Sequence, residues 1–590
     1  MKKFDLVKEY SGYSNKKDIT NLDSRYLVPP SQNVIINDGE KVSSRPGYSL
    51  YGASSVDTLP STSSFEWKTG IGYERALRAY DDELEVYYAS AWRRIASGFT
   101  AVDFNFTTVW NSTELLVLML FVNGDANMRM WSGGITTYAS ATANTLTKQG
   151  ATSWAAEGFL KNGTRQVNLN NVTYTYTGGE STTTLTGVTP DPTLTVHTAG
   201  DVAIQTVRTT ASTPASGFNN DIIATLKNQV YVGDLKRRDV YVSLNTNHLA
   251  FTFTAPTRLP GEGAILTLDA NIVGFAPQEE DMYIGVDDGW FKTKFTLAAA
   301  LTGESLTVER LKTSPQQGPQ SQSSICKVKN SVVFVCKDKS IDSLGRVTNL
   351  ITPDSRPLSD IIKNELADYS FLTDPHLVYN QNQLFALFPS ESKTLIYDFD
   401  KKYWMPPQLM SLNRLAIVGT DLYGHSSVVT ESYKIFDTSV YSDNGNPIDS
   451  KAAFAYRNYN QRAWKKKFDE WYTEVYMTPN TELSLQINYD FGGFGGIVTK
   501  IIKGTETRFK FFVAILNSLG KWALGKNPIG SVSVSDDTLP KYRKIDTVDD
   551  NDFYEVQSIY SSNGIDQRWE LLASGGNIKL SDNDNQDIKD

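Results

Sequence analysis

Apolar and polar positions alternate in short runs along most of this chain. Leu483-Ser484-Leu485-Gln486-Ile487 is the cleanest case, with every second side chain apolar, the period of a strand that buries one face. Val172-Thr173-Tyr174-Thr175-Tyr176-Thr177 alternates in the same way. Further runs predict strands at 74–80, 84–88, 92–96, 115–122, 128–131, 228–233, 239–243, 265–276, 282–284, 290–295, 331–336, 377–379, 384–388, 394–399 and 415–418. Asp81-Asp82, Asn123-Gly124-Asp125 and an Asn-Gln pair after 379 supply turns between them. A short helix is predicted at 358–366, with Ser359-Asp360 in the capping position. Short strands in quick succession, cut by glycine and aspartate turns, have the rhythm of propeller blades. The fold class is therefore all-β, centred on a β-propeller. No Trp-Asp or Kelch signature marks the blades, and Asp443-Asn444-Gly445-Asn446 begins like a sialidase Asp-box without the Thr-Trp that should follow.

Changes in this pattern divide the chain. Residues 1–52 read as an N-terminal arm ending in a hairpin: Val34-Ile35-Ile36 goes up, Asn37-Asp38-Gly39 offers the positive-φ turn, and Lys41-Val42-Ser43 returns. Arg45-Pro46-Gly47 then ends the pairing. The first part of the propeller spans 53–140. Between Asn171 and Pro190 eight of twenty residues are threonine, which marks 141–216 as a small inserted β domain. Strand rhythm resumes over 217–449, the remainder of the propeller. A C-terminal antiparallel β-sandwich is predicted at 450–580, followed by an acidic tail at 581–590.

Composition narrows the function classes. The 590 residues carry 57 Lys and Arg against 66 Asp and Glu, a net charge of −9, which argues against gripping nucleic acid through its phosphates. The two cysteines, Cys326 and Cys336, form no disulfide framework or metal knuckle by spacing and suit a reducing compartment. Met1-Lys2-Lys3-Phe4 lacks a signal-peptide core, and the longest apolar run, 115–122, is too short to span a bilayer. The four histidines, His197, His248, His376 and His425, are scattered. His425 beside Ser426-Ser427 is the best candidate for a nucleophile's base, but no motif supports catalysis there and a turn closing a propeller strand is the better reading. Asp398 and Asp400 sit at a spacing two glycosidase carboxylates could use, although strand-end turns also favour aspartate. Asp549-Asp550-Asn551-Asp552 offers hard oxygens without an EF-hand pattern. Gly492–Gly496 lacks the lysine and the strand-to-helix context of a phosphate loop. No catalytic residue, cofactor or metal is assigned. The basic clusters are Lys236-Arg237-Arg238 and Lys465-Lys466-Lys467, which with Arg45 form the candidate docking patches.

Several separated passages resemble one family. Asn33–Gly47 with its Arg-Pro-Gly close, the 228–243 hairpin, Tyr403-Trp404-Met405-Pro406-Pro407 and Tyr423-Gly424-His425-Ser426 resemble, in that order, the nozzle and tail-stabilisation proteins of short-tailed bacteriophages. The resemblance implies a structural virion protein made in the host cytoplasm and built on a β-propeller. It implies a homohexameric ring below the portal and adaptor that carries fibres or spikes and conducts double-stranded DNA without binding it specifically. On that reading Glu279, Glu280, Asp281, Asp287 and Asp288 are candidate acidic loops of the DNA lumen. The alternative is a glycan-binding or glycan-cleaving propeller, with paired carboxylates and aromatic platforms in one cleft.

Overall fold

A computed structural model describes the chain except residues 1, 17–21, 55–57, 70–71, 100–102, 164, 210–213, 216, 245–247, 249–250, 252–261, 298–303, 312–316, 330, 348–356, 458–465, 490–496, 504–540, 548–554 and 581–590. The fold is all-β: a propeller, an inserted β domain and a C-terminal β-sandwich. Seven antiparallel sheets form the propeller. Their inner strands are Ser63–Lys68 (blade 1), Asn105–Asn111 (blade 2), Ile222–Leu226 (blade 3), Ile272–Gln278 (blade 4), Ile325–Val328 (blade 5), His376–Asn380 (blade 6) and Leu412–Val418 (blade 7). Each inner strand lies beside the next, and Leu412–Val418 returns to Ser63–Lys68, so the ring closes.

Burial explains the two kinds of sequence pattern. Leu116–Val122, the second strand of blade 2, is almost wholly buried because neighbouring blades cover both of its faces. Glu482–Tyr489, in the sandwich, alternates strictly between buried and partly exposed positions because only one face meets the opposing sheet. Two-residue turns close several hairpins with both residues at positive φ, as at Lys227-Asn228 (49° and 61°) and Gln381-Asn382 (46° and 64°). The run expected at 265–276 is two strands, Ala264–Thr267 and Ile272–Gln278, which belong to blades 3 and 4.

Blade 5 has three strands among the described residues. Its rim is occupied by a 3-10 turn, Asp360–Ile362, and a short α-helix, Lys363–Ala367, close to the predicted helix. Ser359 does not cap it. Its hydroxyl instead accepts the amide of Ile341 at 2.9 Å, joining the helical segment to the strand Ile341–Ser343.

The N-terminal arm is woven through the molecule. Lys2–Val7 and the hairpin strand Val42–Ser44 both pair with Trp569–Leu580, and Leu27–Gln32 pairs with Ile448–Phe454, all within the two sandwich sheets. Gly47–Leu50 is the outer strand of blade 7, with Tyr48 opposite Ile435. The sandwich core, including Trp471, Leu485, Tyr560 and Trp569, is continuous with the apolar faces of blades 5 and 6 through Tyr10 and Tyr13. The hairpin turn is made by Glu40 at φ 56°, while the Asn37 side chain accepts the Lys41 amide at 3.0 Å. The inserted sheet runs from Ile135–Thr142 to Val202–Gln205, so the chain leaves blade 2 at Ser132-Gly133-Gly134, ahead of the boundary expected at 141. Gly133 has φ 81°, and a Cβ there would stand 2.6 Å from the Trp67 ring.

Arg45-Pro46-Gly47 is the crossing from sandwich to propeller. Arg45 is 1% exposed, which removes it as a docking patch: its charge is consumed inside the fold. Its Nε donates to Asn33 Oδ1 (3.2 Å), one terminal nitrogen to Pro46 O (3.1 Å) and Asp443 Oδ1 (2.8 Å), and the other to Leu409 O (3.2 Å) and Asp443 Oδ2 (2.5 Å). All five N–H donors of the guanidinium are used. Asp443 thus serves as a clamp in the turn that mimicked an Asp-box. At Gly47 a Cβ would meet the Ser442 carbonyl oxygen at 2.0 Å, so only glycine fits.

Candidate functional site at the mouth of the propeller

The seven inner strands all begin at one end of the ring, where they surround a cavity of about 440 Å³. Its walls come from the first residues of these strands, the segments leading into them, and the turns after the second strands of blades 3, 4 and 5. The two sides differ. Blades 1 to 4 contribute apolar groups, among them Phe65, Phe104, Phe106, Ile222 and Ile272. The Phe65 and Phe106 rings stack 5.1 Å apart at 11°, with Phe104 stacked behind at 6.1 Å. Blades 5 to 7 contribute Gln320, Asp374, His376 and Arg414.

Charge at the mouth is largely compensated. Arg414, from blade 7, pairs with Asp103, from the segment entering blade 2, at 2.8 Å. Lys337 pairs with Asp287 at 2.6 Å. Burial and the nearby Asp103 carboxylate raise the pKa of Asp374, against the pull of Arg414. His376 Nδ1 accepts the Leu415 amide at 3.0 Å, which places the ring proton on Nε2. Enclosure, aided by Arg414, lowers its pKa to about 3, so the ring is neutral at physiological pH.

The other sequence candidates fall in different places. His425 is buried between blades 7 and 1. Its Nδ1 lies 2.8 Å from Ser432 Oγ, the hydroxyl that also accepts from Arg78, and Arg78 is paired with Glu85 at 2.8 Å. Ser426 caps its own turn by accepting the amides of Val428 and Val429. Asp398 accepts the amides of Asp400 and Lys401, and Asp400 accepts from Asn382, so this carboxylate pair organises a hairpin end.

Of the proposed lumen acids, Asp287 lines the mouth and Asp288 pairs with Arg310 at 2.7 Å. Glu279 and Glu280 form the turn at the opposite end of blade 4, where Glu280 pairs with Lys227 and Asp281 with Lys292 at 2.8 Å. Four of these five carboxylates therefore carry a basic partner. In the blade 3 turn Lys236 and Arg238 are exposed, whereas Arg237 is bound to Gly217 O at 2.7 Å. Lys466 and Lys467 open the strand Lys466–Met477, while Lys465, Gly492–Gly496 and Asp549–Asp552 lie outside the described residues.

Cys326 and Cys336 are both free thiols. Among the described residues no group of three His, Cys, Asp or Glu is placed to hold a metal ion, and no helix is long and apolar enough to cross a membrane.

No known family model matches the chain, and no curated protein matches it. Among solved structures it is similar to the WD40 β-propeller domain of Doa1, at 8% identity and a TM-score of 0.34, covering 66% of this chain and 97% of that one. It is also similar to BamB from Moraxella catarrhalis, at 10% identity and a TM-score of 0.30, covering 73% and 98%.

Proposed function

We propose that this chain is a structural subunit of a phage tail, a ring-forming nozzle that docks on portal or adaptor and fibre proteins and lets DNA pass. The observation that carries the proposal is the interlocking of passages that separately resemble the family. The Asn33 amide donates to Pro407 O at 3.0 Å, the Leu409 amide donates to Asn33 Oδ1 at 2.7 Å, and the Tyr13 amide donates to Trp404 O at 2.8 Å. The Arg-Pro-Gly arm and the Tyr-Trp-Met-Pro-Pro passage thus form one rigid junction between propeller and sandwich. A junction of this kind suits a component that transmits load, as a part of a tail does.

The conduit in this proposal lies between copies and not along the propeller axis. The axial cavity of about 440 Å³ is of small-ligand size, and duplex DNA has a major groove that is alone about 12 Å wide. Six copies at −9 each would carry about −54, a field that repels phosphate and lets DNA slide. The test is mass spectrometry and tail imaging of purified particles of the virus that encodes the chain. The expected result is about six copies per particle and loss of the tail tip when the gene carries a nonsense mutation. Particles that lack the chain, or that keep an intact tail without it, overturn the proposal.

A further inference from the structure

We propose that the axial cavity is a binding site for a neutral saccharide unit of about one or two sugar rings. It lies within the range of roughly 300–1,000 Å³ typical of small-ligand sites. The inference does not rest on the tail assignment and stands or falls separately from it.

The lining selects the ligand class by elimination. An anion finds no open cation, because Arg414 is engaged by Asp103 and Lys337 by Asp287. A cation finds little unmet negative charge, because Arg414 and Lys337 already stand among the carboxylates Asp103, Asp287 and Asp374. A wholly apolar ligand would bury the Asp374 carboxylate and the His376 ring against hydrocarbon, which is costly. A ligand with one apolar face and a rim of hydroxyl groups meets every wall. Its C–H face lies against the apolar side lined by Phe65, Phe106, Ile222 and Ile272, where it is removed from water. Its hydroxyls face a carboxylate that accepts, a neutral imidazole with one proton to donate, and an amide that does both. All the apolar lining comes from blades 1 to 4 and the lining from blades 5 to 7 is wholly polar, so the ring itself holds the two sides apart at fixed spacing.

The test is saturation-transfer NMR and titration calorimetry on the full chain with maltose, lactose and N-acetylglucosamine, and with putrescine and inorganic phosphate as charged probes. The expected result is binding of at least one of the three sugars, weakened at least tenfold by Gln320→Ala and by Asp374→Asn, with neither charged probe binding comparably. Gln320→Ala removes a cavity-lining amide without changing a charged residue and keeps the test available should Asp374→Asn disturb folding. Each variant is accompanied by a melting curve, so that weaker binding with an unchanged melting temperature reports on the site. Binding of none of the three sugars overturns the proposal. So does sugar binding that Gln320→Ala leaves unchanged, or tighter binding of putrescine or phosphate.

Discussion

Replacing Arg45 by methionine keeps most of the side-chain volume and removes all five hydrogen bonds at the sandwich–propeller crossing. Arg45 is 1% exposed and the side chain of its partner Asp443 only 14%, so the carboxylate left behind stays largely out of water. Removing one member of a buried pair costs about 3–5 kcal/mol, chiefly through the charge left uncompensated. Asn33 Oδ1 and Leu409 O lose a donor as well, although Asn33 Oδ1 keeps the Leu409 amide. The expected loss is therefore about 3–5 kcal/mol for Arg45→Met. Asp443→Asn, which leaves a neutral acceptor facing the guanidinium, should cost less, about 2–3 kcal/mol on the scale of a lost charge-assisted bond. The double variant should fall short of the sum by about 2 kcal/mol, because each single change removes the same interaction. A chain of several domains does not unfold in one step. The assay is therefore urea denaturation combined with hydrogen exchange of Gly47–Leu50 and Ile448–Phe454, the strands on either side of the crossing. Full additivity of the two changes, or a loss below about 1 kcal/mol for Arg45→Met, would refute the role given to this pair.

Gly47→Ala should cost more than about 2 kcal/mol and reduce soluble yield, since the added Cβ meets backbone and not a mobile side chain; a normal melting temperature would contradict the packing described. Tyr560→Phe should cost about 1–3 kcal/mol, because the Trp471 indole N–H and Ser574 hydroxyl bonded to it at 3.0 and 2.9 Å are buried, and urea midpoints measure this. Acid should destabilise the closure between blades 7 and 1. Burial, with Arg78, His376 and Arg414 nearby, lowers the His425 pKa to about 3. The unfolded chain, with a histidine pKa near ~6.5, therefore binds this proton first, and stability falls as pH drops from about 6.5 towards 3. Between pH 7 and 5 the site should lose about 2 kcal/mol, and His425→Gln should flatten the pH dependence of the denaturation midpoint by that amount.

The strands were legible wherever local chemistry decides them. Glu482–Tyr489 announces itself by alternation, and the hairpin of His376–Asn380 with Gln383–Phe388 by the polar turn between its strands. Arg45 was not legible, because a buried guanidinium looks like any surface arginine until its carboxylate is found, and Asp443 is 398 residues away. The weaving of the arm was hidden for the same reason: edge pairings such as Tyr48 with Ile435 leave no mark on either strand alone. The start of the inserted domain was misplaced because strand rhythm continues unbroken across it. Ser132-Gly133-Gly134 was the available signal, with a glycine needed against Trp67. At the mouth, Asp103, Gln320, Asp374 and Arg414 share no motif. Their common property is position, at or just before the start of an inner strand, and that becomes visible only once the blades have been counted.

The strand Gly47–Leu50 is synthesised early and used late. At ~5–20 residues per second its partner at Ile435 leaves the ribosome roughly 20–80 s afterwards, and the first blades can form meanwhile without it. The hairpin strand Val42–Ser44 waits longer still, for Leu571 in the last described strand of the chain. Until then both carry unpaired backbone edges, the surfaces on which nascent chains misassociate. A copy that stops short of Trp569–Leu580 leaves Lys2–Val7 and Val42–Ser44 without the strand they pair with, and so exposes two edges far upstream of the break.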